Sequence, residues 1–201
     1  MKKIALTTVL DENEKLNYSF ISTAYLAGAV KDLVNVDIVP STETTDVDKF
    51  LSSLSHNNYN YIGLSIYTKA LSSAKKLIGL IKSRFSNSLI IVGGPHVTGE
   101  PTCLDSELRG ADFGIRSEGE RALRELLIAL NDLDRSGELC ENSLHQIDNL
   151  IYRDRQGKLI INKVSLAQDI DSLIPAWDKC PVDYFQTPTG IGMHAKGTRV
   201  A

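Results

Sequence analysis

Five short apolar runs, rich in β-branched residues, alternate along the chain with stretches whose apolar positions recur every three or four residues. The runs have the length of buried strands, and the periodic stretches are typical of amphipathic helices. The predicted strands cover residues 2–9, 36–39, 62–66, 89–92 and 112–115. The alternation therefore predicts five βα units in succession.

Four helices are predicted beside these strands. The first covers residues 18–33, the second follows Asp46, the third begins near Lys69 and the fourth opens at Ser117. Asp46 has the short acceptor side chain of an N-cap residue, and Ser117 and Glu120 have the spacing of a capping box. In the fourth helix, the leucines 123, 126, 127 and 130 form the stripe that we expect to be buried.

Repeated βα units of this length predict an α/β fold with an open, doubly wound parallel sheet and helices on both faces. Five strands suit the flavodoxin-like (Rossmann-like) strand order 2-1-3-4-5. Ligands of such folds bind beyond the carboxyl ends of the strands. The small and polar residues after the third, fourth and fifth strands all belong to that edge.

The pattern changes after about residue 131. Residues 132–142 are charged and aperiodic, and two apolar runs on either side of Asp154-Arg-Gln-Gly157 predict a β-hairpin. Residues 164–201 have little periodicity and contain several prolines. The sequence therefore divides into an α/β domain at 1–131, a connector with a hairpin at 132–163, and an extended linker at 164–201.

Charge and composition exclude several classes of function. The formal net charge is −3 and the basic residues are scattered, which argues against nucleic-acid binding. No apolar run reaches the length of a membrane span, and Asp11 and Glu12 interrupt the amino-terminal run too early for a secretory signal. We therefore expect a cytoplasmic protein. Its three isolated cysteines indicate neither a disulfide framework nor a metal site.

The sequence Gly93-Gly94-Pro95 after the fourth predicted strand has two interpretations that spacing alone does not separate. Backbone N–H groups in such a turn can face a ligand without interference from side chains. The same glycines also suit an ordinary turn at the end of a strand. The pattern is neither Gly-x-Gly-x-x-Gly nor a Walker loop, so nucleotide phosphate binding is not indicated.

Other polar residues near the strand ends have structural explanations as well. His96 has no ligand partner at metal-site spacing, which favours a hydrogen-bonding role. The helix dipole explains Glu118 and Glu120 at the start of a helix, and residues two apart on a helix do not form an acid–base pair. Ser65 and Thr68 can donate to the polar rim of a ligand, and Thr68 can equally cap the following helix.

Five motifs, taken in order, resemble the amino-terminal half of the cobalamin-binding (class B) radical SAM enzymes, which include the anaerobic magnesium-protoporphyrin ester cyclase and many methyltransferases. The motifs are Gly63-Leu-Ser65, Val92-Gly-Gly-Pro-His96, Arg116-Ser-Glu-Gly-Glu120, the hairpin at 149–158 and Ile174-Pro-Ala-Trp-Asp178. The resemblance covers nearly the whole chain. It implies that cobalamin lies between the carboxyl edge of the sheet and a following radical SAM barrel.

The resemblance also implies a set of cofactor-binding residues, with no catalytic residue and no protein ligand to a metal. They are Ser65, Tyr67, Thr68, Gly93, Gly94, Pro95, His96, Ser117, Glu118, Gly119 and Glu120. A corrin ring is wide, flat and rimmed with amides, so its site needs close backbone approach, hydroxyl or amide donors and an apolar slot. These residue types supply the first two.

The sequence departs from the family pattern in three ways. The usual Gly-Glu-Gly-Glu has Ser117 in its first position, and the Asp-x-His-x-x-Gly motif of the proteins that ligate cobalt through histidine is missing. We therefore expect no histidine ligand below the cobalt. The Cys-x-x-x-Cys-x-x-Cys triad is also absent, so we expect a fragment without radical chemistry of its own. S-adenosylmethionine and the [4Fe–4S] cluster are expected only in the full-length protein.

Two other functions stay open on the sequence. The first is a flavodoxin-like regulatory or flavin-binding domain that works through protein contacts, although the acidic residues after the first strand would repel a flavin phosphate. The second is a degenerate domain that binds nothing.

Overall fold

The computed structural model describes residues 1–11, 20–136, 140–166 and 173–180. Its elements in chain order are β1 (Lys3–Val9), α1 (Phe20–Val30), β2 (Asn35–Ile38), α2 (Val47–Ser55), β3 (Tyr61–Ile66), α3 (Leu71–Arg84), β4 (Leu89–Gly93), α4 (Pro95–Gly99), β5 (Phe113–Ile115), α5 (Glu120–Ser136), α6 (Glu141–His145), β6 (Leu150–Arg153) and β7 (Leu159–Ile161). Short 3₁₀ turns lie at Ser41–Thr45, Thr68–Ala70, Pro101–Asp105 and Trp177–Lys179.

The strands form one sheet in the order β2-β1-β3-β4-β5-β6-β7. The first five strands in this order are parallel, which confirms the predicted strand order and fold class. The predicted hairpin is also present, and its two strands extend the sheet as antiparallel neighbours of β5. The hairpin thus belongs to the same sheet as the five parallel strands.

Helices cover both faces of the sheet. On one face, α1 and α5 pack on Ile4, Leu6 and Ile91, with Leu123 and Leu126 among the buried residues of α5. On the other face, α2 and α3 pack on a second cluster that includes Leu64, Ile66 and Val92. Because successive strand residues point to opposite faces, strands buried on both sides are continuously apolar, which is the pattern in the sequence.

A local sequence signal explains the start of α2. The side chain of Asp46 accepts a hydrogen bond of 3.1 Å from the backbone N–H of Lys49, as an N-cap residue does. The helix predicted at 18–33 is observed as α1, although residues 18 and 19 lie outside the described residues. Helix α5 continues to Ser136, into the stretch that the sequence indicated as aperiodic. The three-part division of the chain stays a prediction.

A segment after the hairpin, residues 173–180, crosses α1, and we call it the strap. The N–H of Ala176 donates to the carbonyl of Ala24 at 2.9 Å, and the rings of Trp177 and Tyr25 pack edge to face at 6.5 Å. The crossing is close because α1 has Gly28 at this point, where a Cβ would overlap the carbonyl oxygen of Ile174. The rest of the predicted linker, including Pro181, Pro188 and residues 190–201, lies outside the described residues.

Two of the three cysteines are buried. Burial raises the pKa of the Cys103 and Cys180 thiols to about 11, so both are protonated at neutral pH. Cys140 is exposed. In the described parts of the chain, no helix combines the length and the apolar character that crossing a bilayer requires.

The contact between α1 and the strap leads to a test at Gly28. A Gly28→Ala substitution places a methyl group against the backbone of Ile174, so we expect the free energy of unfolding to fall by roughly 1–3 kcal/mol. Detachment of the strap would show as a red shift in the emission of Trp177, the single tryptophan of the chain. Urea denaturation followed by this fluorescence measures both effects.

Gly79 provides the matched control. It lies in the middle of α3, and a Cβ built there meets nothing within 4 Å. Gly79→Ala should therefore leave the emission unchanged and keep or raise stability by up to about 1 kcal/mol. If the two variants had the same free energy of unfolding and the same Trp177 emission, the close crossing at Gly28 would be contradicted.

Candidate functional site

The direction of chain winding reverses at one point along the sheet. From β1, helix α1 leads along one face to β2, and α2 then leads along the other face to β3 on the opposite side of β1. Such a reversal marks the position where open α/β sheets bind ligands. The switch point of this fold thus lies between the carboxyl ends of β1 and β3.

Small residues from three strands form a row beside this switch point. Register pairs Thr8 with Ser65, and Ser65 with Gly93. All three positions face the α1 and α5 side, since each lies an even number of residues from a neighbour buried there. Thr8 is only 1% exposed, and its hydroxyl has no hydrogen-bond partner among the described residues.

The loop after β3 presents Tyr67 and Thr68 at this edge. The Tyr67 side chain is 40% exposed, which is unusual for an aromatic residue at the end of a buried strand. The hydroxyl of Thr68 lies 3.3 Å from Nδ1 of His96, so these two side chains connect the loops after β3 and β4. Neither helix start after β3 has a side-chain cap, so Thr68 faces His96 and does not cap the helix.

His96 lies inside the protein, and its ring is not part of the exposed edge. It is 7% exposed, and its Nε2 atom is buried without a hydrogen-bond partner among the described residues. Its Nδ1 atom is occupied by Thr68. The contact to Thr68 agrees with the hydrogen-bonding role that the sequence favoured.

The glycines after β4 are needed for packing within the protein. Gly94 has φ +93°, a conformation that favours glycine, and it precedes Pro95, the first residue of α4. A Cβ at Gly94 would lie 2.8 Å from both Ser65 Oγ and Ile66 N. At Gly93 a Cβ would lie 3.2 Å from the carbonyl oxygen of Ile115. The turn at the end of the strand therefore explains Gly94, and a backbone contact to a ligand stays a prediction.

The predicted capping box at Ser117 is wrong. Helix α5 begins at Glu120, and Ser117 has φ +60°, outside the helix. The N–H of Ser117 donates to Thr98 Oγ1 at 2.8 Å, and that hydroxyl donates to the carbonyl of Gly94 at 3.1 Å. Because a hydroxyl of α4 holds Ser117, this residue connects two loops and does not start the helix.

The rest of this loop leads directly into α5. Glu118 and Gly119 precede the helix, and the carbonyl of Gly119 accepts the N–H of Leu123 at 2.8 Å. The side-chain amide of Asn149 donates to the carbonyl of Glu118 at 3.1 Å. The backbone of Glu118 is thus held from the hairpin side. Glu118 and Glu120 bring two carboxylates to this end of the sheet.

The structure thus brings every predicted site residue to one edge of the sheet, with the His96 ring buried beneath it. Sequence reasoning missed three residues of this region, namely Thr8, Thr98 and Asn149. Thr8 had the same signal as Ser65, a hydroxyl near the end of an apolar run. The contacts of Thr98 and Asn149 join residues far apart in sequence, so no local pattern indicates them.

Another feature of the described residues lies away from this edge of the sheet. A cavity of about 450 Å³ is lined by Asp105, Arg109, Arg153 and Gly157. It lies at the opposite edge, because Arg153 ends the antiparallel strand β6 beside the amino end of β5. Within the described ranges, no three His, Cys, Asp or Glu side chains come together as a metal site would require.

The sequence is similar to those of known proteins. Residues 12–127 match the family model for the B12 binding domain. An uncharacterized methyltransferase of Pyrococcus horikoshii, PH0819, is 26% identical over 212 residues, which cover 98% of this chain and 44% of the relative. The cobalamin-dependent radical SAM methyltransferase TokK of Streptomyces tokunonensis is 26% identical over 124 residues, 61% of this chain and 15% of TokK.

Solved structures share the fold. The cobalamin-dependent S-adenosylmethionine radical enzyme OxsB, with aqua-cobalamin bound, matches this chain with a TM-score of 0.73 at 21% identity. The match covers 89% of this chain and 24% of OxsB. The radical S-adenosylmethionine methyltransferase TsrM from Kitasatospora setae, with cobalamin and a [4Fe–4S] cluster bound, has a TM-score of 0.62 at 16% identity. This match covers 81% of this chain and 31% of TsrM. The chain thus spans less than half the length of these relatives.

The packing of Gly94 leads to a prediction about the loop after β4. Gly94→Ala combines a strained φ with contacts at 2.8 Å, and we expect it to lower the free energy of unfolding by roughly 2–4 kcal/mol. Gly99→Ala is the matched control, because a Cβ at Gly99 meets nothing within 4 Å. Urea denaturation of both variants measures the difference. Wild-type stability for Gly94→Ala would contradict the assigned geometry of this turn.

Proposed function

The chain belongs to the B12-binding domain family, and from that premise we propose that it holds cobalamin across the carboxyl edge of its sheet. The family match and the cobalamin-bound structures of the same fold support cobalamin over the flavin-binding or regulatory alternative. The proposal places the cofactor at the switch point between β1 and β3. The loops after β3, β4 and β5 surround that position.

The observation that carries the proposal is the row formed by Thr8, Ser65 and Gly93. A buried hydroxyl without a partner costs free energy, and the described residues leave Thr8 in that condition. A polar group of a ligand bound at the switch point would satisfy this hydroxyl. The row thus offers two hydroxyls, on β1 and β3, beside the small residue Gly93.

The rim of the site has the groups that an amide-edged corrin requires. The carboxylates of Glu118 and Glu120 and the hydroxyl of Thr68 can accept hydrogen bonds from side-chain amides of the corrin. The exposed ring of Tyr67 offers a flat apolar surface on the same edge. Aromatic and apolar surface with a few fixed polar groups is the usual composition of a cofactor site.

Cobalamin supplies, when bound, a cobalt centre that can carry a methyl group. The contribution of this chain is to bind and orient the corrin and to exclude water from the face that rests on the sheet. His96 is not proposed as a ligand of cobalt, because its Nδ1 atom contacts Thr68 and its ring is buried. Its role in the proposal is to hold the loops after β3 and β4 together.

We further propose that this domain works with a radical SAM domain in a methyltransferase. The relatives PH0819 and TokK are described as methyltransferases, and OxsB and TsrM combine a domain of this fold with radical S-adenosylmethionine chemistry. The 201 residues contain no Cys-x-x-x-Cys-x-x-Cys triad. The [4Fe–4S] cluster and S-adenosylmethionine therefore belong to the partner domain, and this chain alone performs no radical chemistry. A cytoplasmic location stays a prediction from the sequence.

Thr8 provides a direct test of cobalamin binding at the switch point. Thr8→Val removes an unpaired hydroxyl and keeps the shape of the side chain, so we expect unchanged or higher stability. Affinity for hydroxocobalamin should nevertheless fall roughly 3- to 10-fold, the effect of one neutral hydrogen bond. Gel filtration with the visible corrin spectrum establishes binding, and titration of the same absorbance gives the dissociation constant.

Thr7→Val is the matched control, since Thr7 is 2% exposed on the same strand but faces the opposite side of the sheet. It should keep wild-type affinity. If corrin bands failed to co-elute with the wild-type chain, or if flavin mononucleotide bound in place of cobalamin, the proposed function would be wrong. Equal affinities of the two valine variants would remove Thr8 from the site.

A further inference from the structure

Asn149 joins the loop after β5 to the segment that follows the hairpin. It lies just before β6, is 5% exposed and has φ +68°, a conformation that asparagine and glycine adopt most readily. Both of its backbone groups are used: its carbonyl accepts from Arg116 N at 3.0 Å, and its N–H donates to the carbonyl of Lys163 at 2.9 Å. The residue thus sits between two segments of chain.

The side chain of Asn149 connects the same two segments. Its amide nitrogen donates to the carbonyl of Glu118 at 3.1 Å and to the carbonyl of Ser165 at 2.8 Å. Its amide oxygen accepts the N–H of Ser165 at 2.8 Å. All the donor and acceptor atoms of the residue are therefore engaged. Glu118 belongs to the rim proposed for cobalamin, and Ser165 belongs to the chain beyond β7.

Asp148, the residue before Asn149, connects α5 to the segment after β7 through two ion pairs. Its carboxylate lies 2.8 Å from the guanidinium of Arg121, in the first turn of α5, and 3.4 Å from the ammonium group of Lys163. The Asp148 side chain is 15% exposed, whereas Arg121 and Lys163 are 59% and 80% exposed, so solvent partly screens both ion pairs. Two adjacent residues thus tie the start of α5 and its preceding loop to residues 163–165.

We propose that Asn149 is a positioning residue that couples cobalamin occupancy to the order of residues 163–166. This inference rests on the proposed function, because the rim at Glu118 is taken to contact the cofactor. A ligand that fixes the Glu118 backbone favours the hydrogen bond from Asn149, and that bond orients the amide for both contacts to Ser165. Fixing of residues 163–166 equally favours the rim geometry that binds the cofactor, since coupling between two sites is reciprocal.

The coupling connects the cofactor site to the segment that follows β7. Val164 and Leu166, on either side of Ser165, are 50% and 66% exposed. Ser165, whose backbone groups bond to Asn149, lies between these two exposed apolar side chains. Occupancy of the cofactor site would therefore control how firmly this segment is held.

Hydrogen exchange at the Ser165 amide tests the coupling, because this N–H donates directly to Asn149. In the wild-type chain, hydroxocobalamin should slow exchange at Ser165 roughly 5-fold or more. Asn149→Gly keeps the backbone conformation and removes all three side-chain hydrogen bonds. It should speed exchange at Ser165 without cofactor, abolish the slowing on cofactor addition, and weaken hydroxocobalamin binding by roughly 5- to 150-fold.

Asn162→Ala is the control for a purely structural effect. Asn162 is 6% exposed on the same hairpin, and its amide donates to the carbonyls of Leu144 and Ile147 at 2.7 and 2.8 Å, away from the rim. Its loss should lower stability but keep both the cofactor affinity and the effect of cofactor on Ser165. If Asn149→Gly failed to fold, Asn149→Asp would replace it, because it keeps the acceptor for Ser165 and loses both donor contacts.

The outcomes separate this inference from the proposed function. If the wild-type chain binds hydroxocobalamin and exchange at Ser165 does not change, the coupling is wrong and the proposed function stands. If the wild-type chain binds no hydroxocobalamin, the proposed function is wrong and the coupling is wrong with it. A loss of affinity in Asn162→Ala equal to that in Asn149→Gly would reduce Asn149 to a structural residue and overturn the proposal.

Discussion

The hydrogen-bonded register of the parallel strands is the constraint on which the rest of the site depends. It places Thr8, Ser65 and Gly93 side by side on three neighbouring strands and points them to one face of the sheet. A slip of one residue in either pairing would turn a member of the row to the other face. The same register brings the loops after β3, β4 and β5 to one edge, where side chains can reach from loop to loop.

Those loops are held to one another by side chains as well as by the strands below them. Thr68 and His96 connect the loops after β3 and β4, Thr98 connects α4 to Ser117, and Asn149 connects the loop after β5 to the hairpin. Each connection joins residues on different elements. A flat ligand that rests on this edge would therefore meet a surface whose parts are fixed relative to one another, which lowers the entropy lost on binding.

Patterns within a single element predicted the fold well. Apolar runs located the five parallel strands, and the side chain of Asp46 located the start of α2, since both depend on residues close together in sequence. The capping box at Ser117 failed for the same reason. Its spacing is correct, but the hydrogen bond from Ser117 to Thr98 spans 19 positions and holds the residue outside the helix.

The parts of the site that the sequence left open depend on contacts between distant segments. The role of Gly94 depends on Ser65 and Ile66, which are far from it in sequence and lie against it in the fold. The hairpin was predicted from its turn, but its place beside β5 follows from strand pairing across the chain. The resemblance to cobalamin-binding radical SAM enzymes rested on the order of several motifs, and the family match to residues 12–127 confirms the cobalamin-binding relationship.

The most direct measurement of the central claim is the position of the bound cobalt relative to the two edges of the sheet. The paramagnetic Co(II) form of cobalamin broadens the NMR signals of nearby backbone amides, with an effect that falls steeply with distance. Cobalamin at the switch point predicts strong broadening at Tyr67, Gly94 and Glu118, and sharp signals at Asn35 and Leu89, which begin β2 and β4 at the opposite edge. Broadening at Asn35 and Leu89 with sharp signals at the other three residues would contradict the account.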